Sequence, residues 1–322
     1  MLGGLARRVS YILGEKARDE KMLVVDSGNL FHQSTTARPA GGDPRVDDLI
    51  IRSYRRLGVA AINVGMTDIS RGPDFFEKTR AGILPWVSSN LVDGKGDYVF
   101  NPYVIKEIEN VRFGIIGLTS AVADPVFRES FGKDHAVADP LQSAKKVLRD
   151  ISKKADVILL LAALNPGEVR RLAAENPGIC FILGGGEGRT TVHPLRESGT
   201  PLLRSGKDGM YVGRLNLTCT GSMNGFLDAE EESRLHLELQ NLEQRIAALE
   251  KARQNKDTPA LGKMIDDLRS GKSALEKKLM AICVCGTETG KFTWDLVPME
   301  SDIPEDETVL DWIRTAGLEE SS

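Results

Sequence analysis

Between residues 22 and 219 short apolar runs alternate with polar stretches whose apolar residues recur at helical spacing. That alternation predicts an α/β fold. Strands are expected at 22–26, 59–64, 84–90, 111–118, 156–163, 180–183, 201–204 and 211–217, with helices at 47–57, 141–153 and 167–174. The run Val157-Ile-Leu-Leu-Leu161 is apolar throughout, as in a strand covered on both faces. The stretch 102–114 predicts two strands joined by a turn at Glu109-Asn110.

From Asp228 the pattern changes. Leu235, Leu239, Leu242, Ile246 and Leu249 step by four, three, four and three, one seam of a heptad-patterned helix. Asp228 and Glu231 have the spacing of a capping box at its start. Thr258 as N-cap and Pro259 at the first helical position open a second helix, with a seam of Leu261, Ile265, Leu268, Lys272, Leu275, Leu279 and Ile282. The two seams predict an antiparallel coiled-coil hairpin, each arm roughly 35 to 40 Å long at 1.5 Å rise per residue. It is either a structural arm or a docking device for a second copy or a protein partner. Beyond it, 292–298 reads as a strand, and the acidic end from Glu300, with Trp312 and Ile313 on a short helix, as a loosely attached tail. The expected division is an α/β domain at 1–227, the hairpin at 228–282, a returning strand at 283–299 and the tail at 300–322.

Composition narrows the function classes. Apolar residues make up 41% and charged residues 27%, with 42 Lys plus Arg against 46 Asp plus Glu. This excludes wholesale disorder and a strongly basic nucleic-acid binder, and a net charge of -4 identifies no partner. Four Cys are too few for a disulfide scaffold and match no zinc spacing. Cys283 and Cys285 share a face if they lie on a strand, which makes them redox candidates beside the plainer reading of two small buried thiols. No apolar run is long enough to span a membrane, and the first twenty residues lack the apolar stretch of a signal peptide.

The strand ending Asp26-Ser-Gly-Asn-Leu-Phe31, preceded by Gly3-Gly-Leu-Ala-Arg7 on a helix, resembles the opening of the bacterial 5'-nucleotidase branch of the calcineurin-like metallophosphoesterases. The series continues in family order through Leu57-Gly-Val-Ala-Ala-Ile-Asn-Val-Gly65, Pro85-Trp-Val-Ser-Ser-Asn90, Gly114-Ile-Ile-Gly-Leu-Thr-Ser120, Asp156-Val-Ile-Leu-Leu-Leu161, Ile182-Leu-Gly-Gly185 and Gly199-Thr-Pro-Leu-Leu-Arg-Ser-Gly206. The resemblance implies a four-layer αββα sandwich, here lacking its first strand and carrying the hairpin as an insertion. It also implies hydrolysis by two divalent metals that clamp a phosphate and activate water.

Carried over position by position, the family's metal ligands are replaced. The bridging Asp falls on Asn29, and the Asn and His of Gly-Asn-His-Glu fall on Met66 and Thr67, leaving Asp68 at the acidic position. The next His falls on Ala163, and the two His of Gly-Gly-His-Thr-His fall on Gly186 and Gly188. The chain's four His, at 32, 135, 193 and 236, miss every family ligand position. No bound metal cofactor is therefore expected, because a dinuclear site depends on ligand identity and number.

The expected role is non-hydrolytic, in binding or scaffolding, or in redox chemistry if a Cys- or selenocysteine-containing segment lies upstream. The alternative is an active phosphohydrolase with a rearranged metal site around Asp26, Asn29, His32 and Asp68. Gly184, Gly185, Gly186, Glu187 and Arg189 are candidates for holding a small anion or nucleotide; the plainer reading is that these glycines serve close packing. Because the family's sheet begins with a strand ahead of the helix at 2–15, an upstream segment is expected, with a Cys- or selenocysteine-containing stretch as one form of it. With an export signal upstream the resemblance implies a periplasmic protein, and with Met1 as the true start a cytoplasmic one.

Overall fold

The computed structural model describes residues 4–31, 43–80, 83–175, 178–184, 190–219, 225–255, 258–283 and 290–318. The chain divides into two compact units, residues 1–214 with 294–322 and residues 215–293.

In chain order the strands are β1 Val25–Asp26, β2 Ala61–Asn63, β3 Trp86–Val87, β4 Leu91–Val92, β5 Tyr103–Ile108, β6 Val111–Thr119, β7 Ala136–Val137, β8 Val157–Ala163, β9 Phe181–Gly184, β10 Leu195–Glu197, β11 Thr200–Arg204, β12 Tyr211–Thr218, β13 Phe226–Asp228 and β14 Gly290–Pro298. The helices are α1 Leu5–Arg18, α2 Pro44–Leu57, α3 Met66–Ile69, α4 Pro73–Arg80, α5 Asp124–Phe131, α6 Pro140–Ile151, α7 Pro166–Glu175, α8 Ala229–Asn255, α9 Pro259–Cys283 and α10 Glu307–Thr315.

The first unit is built in four layers. A parallel sheet β1-β2-β3 faces a mixed sheet ordered β10-β11-β9-β8-β6-β5, in which β11, β9, β8 and β6 run parallel. Alternation along the long strands assigns each face. Ile116, Leu118, Ile158, Leu160, Ala162, Ile182 and Leu202 pack under α6 and α7, joined by Ala144, Val147 and Leu172. The alternate residues Ile115, Leu159, Leu161, Phe181 and Leu203 are buried too, on the face turned to the small sheet. Gly117 lets the sheets close up, because a Cβ there would meet Asn63 Oδ1 and the Val87 carbonyl. On the far side of the small sheet, Val9 and Ile12 of α1 and Tyr54 and Leu57 of α2 cover Ile62 and Trp86.

The long strands fall where the apolar runs predict them. The turn between β5 and β6 is made by Glu109 and Asn110 at φ 49° and 66°, the left-handed pair that matches hairpin twist. The small-sheet strands are shorter than expected. After Val87 the chain leaves the ladder, and the buried Ser88 and Ser89 donate their N–H groups to the carbonyls of Asn101 and Gly117 instead. The loosely attached tail is corrected as well: in α10 Val309 is fully buried, and Leu310, Trp312 and Ile313 join the core under α1 and α2. Its apolar face supplied an anchor that its acidic composition concealed.

In the second unit α8 and α9 run antiparallel. Asp228 Oδ1 accepts the N–H groups of Glu230 and Glu231 at the start of α8, and Thr258 Oγ1 accepts that of Leu261 at the start of α9. Leu235, Ile246 and Ile265 are buried along the seam. The pairs Glu231–Lys278, Glu243–Lys272 and Glu250–Arg269 fix the register. α9 runs through Cys283, so this residue is helical, and the premise that it shares a strand face with Cys285 is withdrawn. Cys285 lies outside the described residues, and the returning strand begins at Gly290.

Candidate functional site

Asp26 ends β1, and both of its carboxylate oxygens are engaged. Oδ1 accepts the Gly28 N–H at 2.9 Å and Oδ2 the Tyr54 hydroxyl at 2.6 Å. Tyr54 is delivered by α2, which starts on the Asp43 cap with Pro44 and stops at left-handed Gly58. Burial, and then the Asp26 charge, raise the Tyr54 hydroxyl well above its usual pKa, so it stays a donor. Gly28 has φ 97°, and a Cβ on it would lie 2.9 Å from the Asn63 carbonyl oxygen and the Gly65 nitrogen.

Asn29 follows at φ 60°, a conformation its side chain tolerates. Its N–H donates to Asp68 Oδ2 at 2.8 Å, while its own Oδ1 accepts the Thr67 N–H at 3.1 Å. Asp68, in the short helix α3 beyond β2, is fully buried. Its Oδ2 accepts the Gly65 N–H as well, at 2.8 Å, and its Oδ1 accepts the Phe31 N–H at 2.9 Å. Burial pushes the Asp68 carboxyl up to about 7; the N–H groups of Phe31, Gly65 and Asn29 pull it down, and the nearby Asp26 charge adds to the rise. Met66 stands beside it, 41% exposed.

The long strands end in a similar way. Glu168, in the first turn of α7, accepts the Ala121 N–H on Oε1 and the Asn165 N–H on Oε2, both at 3.0 Å. Asn165 Oδ1 accepts the Gly167 and Glu168 N–H groups. Deeper in, Asn63 donates to the carbonyls of Ser27 at 3.1 Å and Leu118 at 3.0 Å, and the Thr119 hydroxyl donates to the Val64 carbonyl. Asn90 donates to the carbonyls of Thr119 and Ala138 and accepts the Thr119 N–H.

The structure thus brings Asp26, Asn29 and Asp68 together. His32 and the anion candidates Gly185, Gly186, Glu187 and Arg189 lie outside the described residues, and Gly184 ends β9. Sequence reasoning missed Tyr54, Asn63 and Glu168. The signal for Glu168 was its place three residues after Asn165, a capping spacing; Tyr54 and Asn63 carried none.

A dinuclear centre needs carboxylate and imidazole lone pairs turned toward the cations. Here the oxygens of Asp26 and Asp68 and the Asn29 Oδ1 face N–H and O–H donors of the chain itself. Met66, Thr67 and Ala163 occupy three further ligand positions of the resemblance. Among the described residues no group of three or more His, Cys, Asp or Glu is placed to hold a metal ion. Among the described residues, the side chains at these positions do not make the ligand set of a pair of divalent cations.

No family model matches the chain. A 5'-nucleotidase from Vibrio parahaemolyticus is 21% identical over 196 residues, covering 51% of this chain and 35% of that protein. The chain therefore spans little more than a third of that relative. Sulfate thiohydrolase SoxB of Thermus thermophilus superposes with a TM-score of 0.68 at 16% identity, covering 98% of this chain and 46% of that one. The calcineurin-like phosphoesterase YfkN of Bacillus subtilis gives 0.63 at 19% identity, covering 98% of this chain and 89% of that one. Together with the layer order, these matches show that the chain has the calcineurin-like metallophosphoesterase fold and is 5'-nucleotidase-like in sequence.

Proposed function

We propose that this chain is a non-hydrolytic 5'-nucleotidase-like protein that serves in binding or scaffolding. One observation supports this reading: Asn29 Oδ1, at the position of the family's bridging Asp, is engaged by the Thr67 N–H, and Met66, Thr67 and Ala163 stand at three further ligand positions of the resemblance. The α8–α9 hairpin is the surface proposed for a second copy or a protein partner, and deleting 228–282 should abolish that association while the α/β unit stays folded. The fold also suggests a small anion or nucleotide as ligand. Export to the periplasm is the localisation proposed from the resemblance; among the described residues no helix is long and apolar enough to cross a membrane.

The test is turnover of bis(p-nitrophenyl) phosphate and of AMP by the purified chain, with Mn²⁺ and with EDTA. The reading expects no turnover above a protein-free control in either condition. Chelator-sensitive turnover that Asp68→Ala abolishes would replace it with an active hydrolase built around Asp26, Asn29, His32 and Asp68.

A further inference from the structure

If the site holds no metal pair, something else must keep its loops in place. A dinuclear centre does more than chemistry, because it pins the turn after the first motif to the turn after the second. Backbone groups at strand ends also need partners when water is excluded. Here the two turns are joined by side chains that reach in opposite directions. Asp68, on the β2 side, accepts the N–H groups of Asn29 and Phe31 from the β1 side at 2.8 and 2.9 Å. Asn29, on the β1 side, accepts the N–H of Thr67 from the β2 side at 3.1 Å.

The backbone is shaped to close this clasp. A Cβ on Gly65 would run into the Asn29 nitrogen and Oδ1, and one on Gly28 would lie 2.9 Å from the Gly65 nitrogen. Both turns therefore need glycine where they touch. Amide rather than carboxylate chemistry at Asn29 matters too, because an Asp there would set a further carboxylate against Asp26 and Asp68, a charge that a bound cation or a proton would have to offset.

We infer that the reciprocal clasp between Asn29 and Asp68 takes the place of a metal pair as the tie between the β1 and β2 loops, fixing them without any cation. The inference deepens the non-hydrolytic reading and rests on it. It assigns Asp68 a positioning role and no part in chemistry.

Amide hydrogen exchange of the whole chain, in EDTA and in Mn²⁺, tests it. In EDTA the amides of Asn29, Phe31, Gly65 and Thr67 should be protected in the wild type, and Mn²⁺ should add nothing. Asp68→Ala should speed exchange at Asn29, Phe31 and Gly65 about tenfold or more, the equivalent of one lost buried bond. Asp68→Asn is the milder variant should the alanine chain fail to fold. Its amide can accept on one side only, so either Phe31 or the Asn29 and Gly65 pair should lose protection. Asn29→Ala should expose Thr67. Free exchange in EDTA without metal binding, or unchanged protection in Asp68→Asn, overturns the clasp while leaving the non-hydrolytic reading standing. Protection that appears only with stoichiometric Mn²⁺ overturns both.

Discussion

In the α/β unit Asp68 is fully buried and its oxygens accept three backbone N–H groups, whereas in the helical unit Glu243 and Glu250 keep 49% and 43% of their side-chain surface and pair with Lys272 and Arg269. Both arrangements join two segments of chain through carboxylates. They differ in what replaces water. The buried carboxylate has traded its hydration for fixed dipoles that cannot be supplied again if it is lost. The exposed ones keep their hydration, so their pairs contribute little and the helices rest on the leucine and isoleucine seam. A buried, hydrogen-bonded carboxyl at a strand end is thus a stronger structural commitment than several carboxylates on a helix surface.

The largest effect should come from Asp68→Ala, which leaves three N–H groups without an acceptor and should cost on the order of 4 kcal/mol in a denaturant titration. A similar magnitude attaches to pH. The folded carboxyl is raised from 3.8 to about 7, so its contribution is complete below pH 4 and is lost as pH rises through about 7. Melting temperature should fall across that window, by the equivalent of on the order of 4 kcal/mol at most, and the fall should flatten in Asp68→Asn. Asp124, Asp150 and Asp156 are lowered and titrate below the window, where they act with the opposite sign. Gly65→Ala should cost about 2 to 3 kcal/mol, because its Cβ meets the Asn29 backbone, and should speed Asn29 exchange without touching the carboxylate. At the bottom of the scale, Lys272→Ala should leave the melting temperature unchanged, while a clear loss there would erase the contrast between the two units.

Much of this architecture was legible in the chain. The β6 and β8 runs are apolar on both faces, and the seams of α8 and α9 keep heptad spacing with Lys272 as the one polar member, so periodicity alone placed them. The family order of short motifs located Asp26, Asn29 and Asp68, and replacement at the ligand positions could be read residue by residue. The clasp could not, because it depends on which way backbone N–H groups point after the strands end. Helix α5 and the docking of the expected helix α10 also escaped: α5 is eight residues long, and the four apolar residues by which α10 docks lie within an acidic segment. The buried Asn63 and Asn90 satisfy backbone carbonyls of β6 and its end, a pairing that exists only once the sheets have been stacked.

The most direct measurement is the metal content of the purified chain after equilibration with Mn²⁺, Fe²⁺ and Zn²⁺ and exhaustive dialysis, by elemental mass spectrometry. The hydrogen-bonded site described here predicts far less than one transition metal per chain, the same for wild type and Asp68→Asn. About two per chain in the wild type, lost in Asp68→Asn, would contradict it and restore a dinuclear hydrolase.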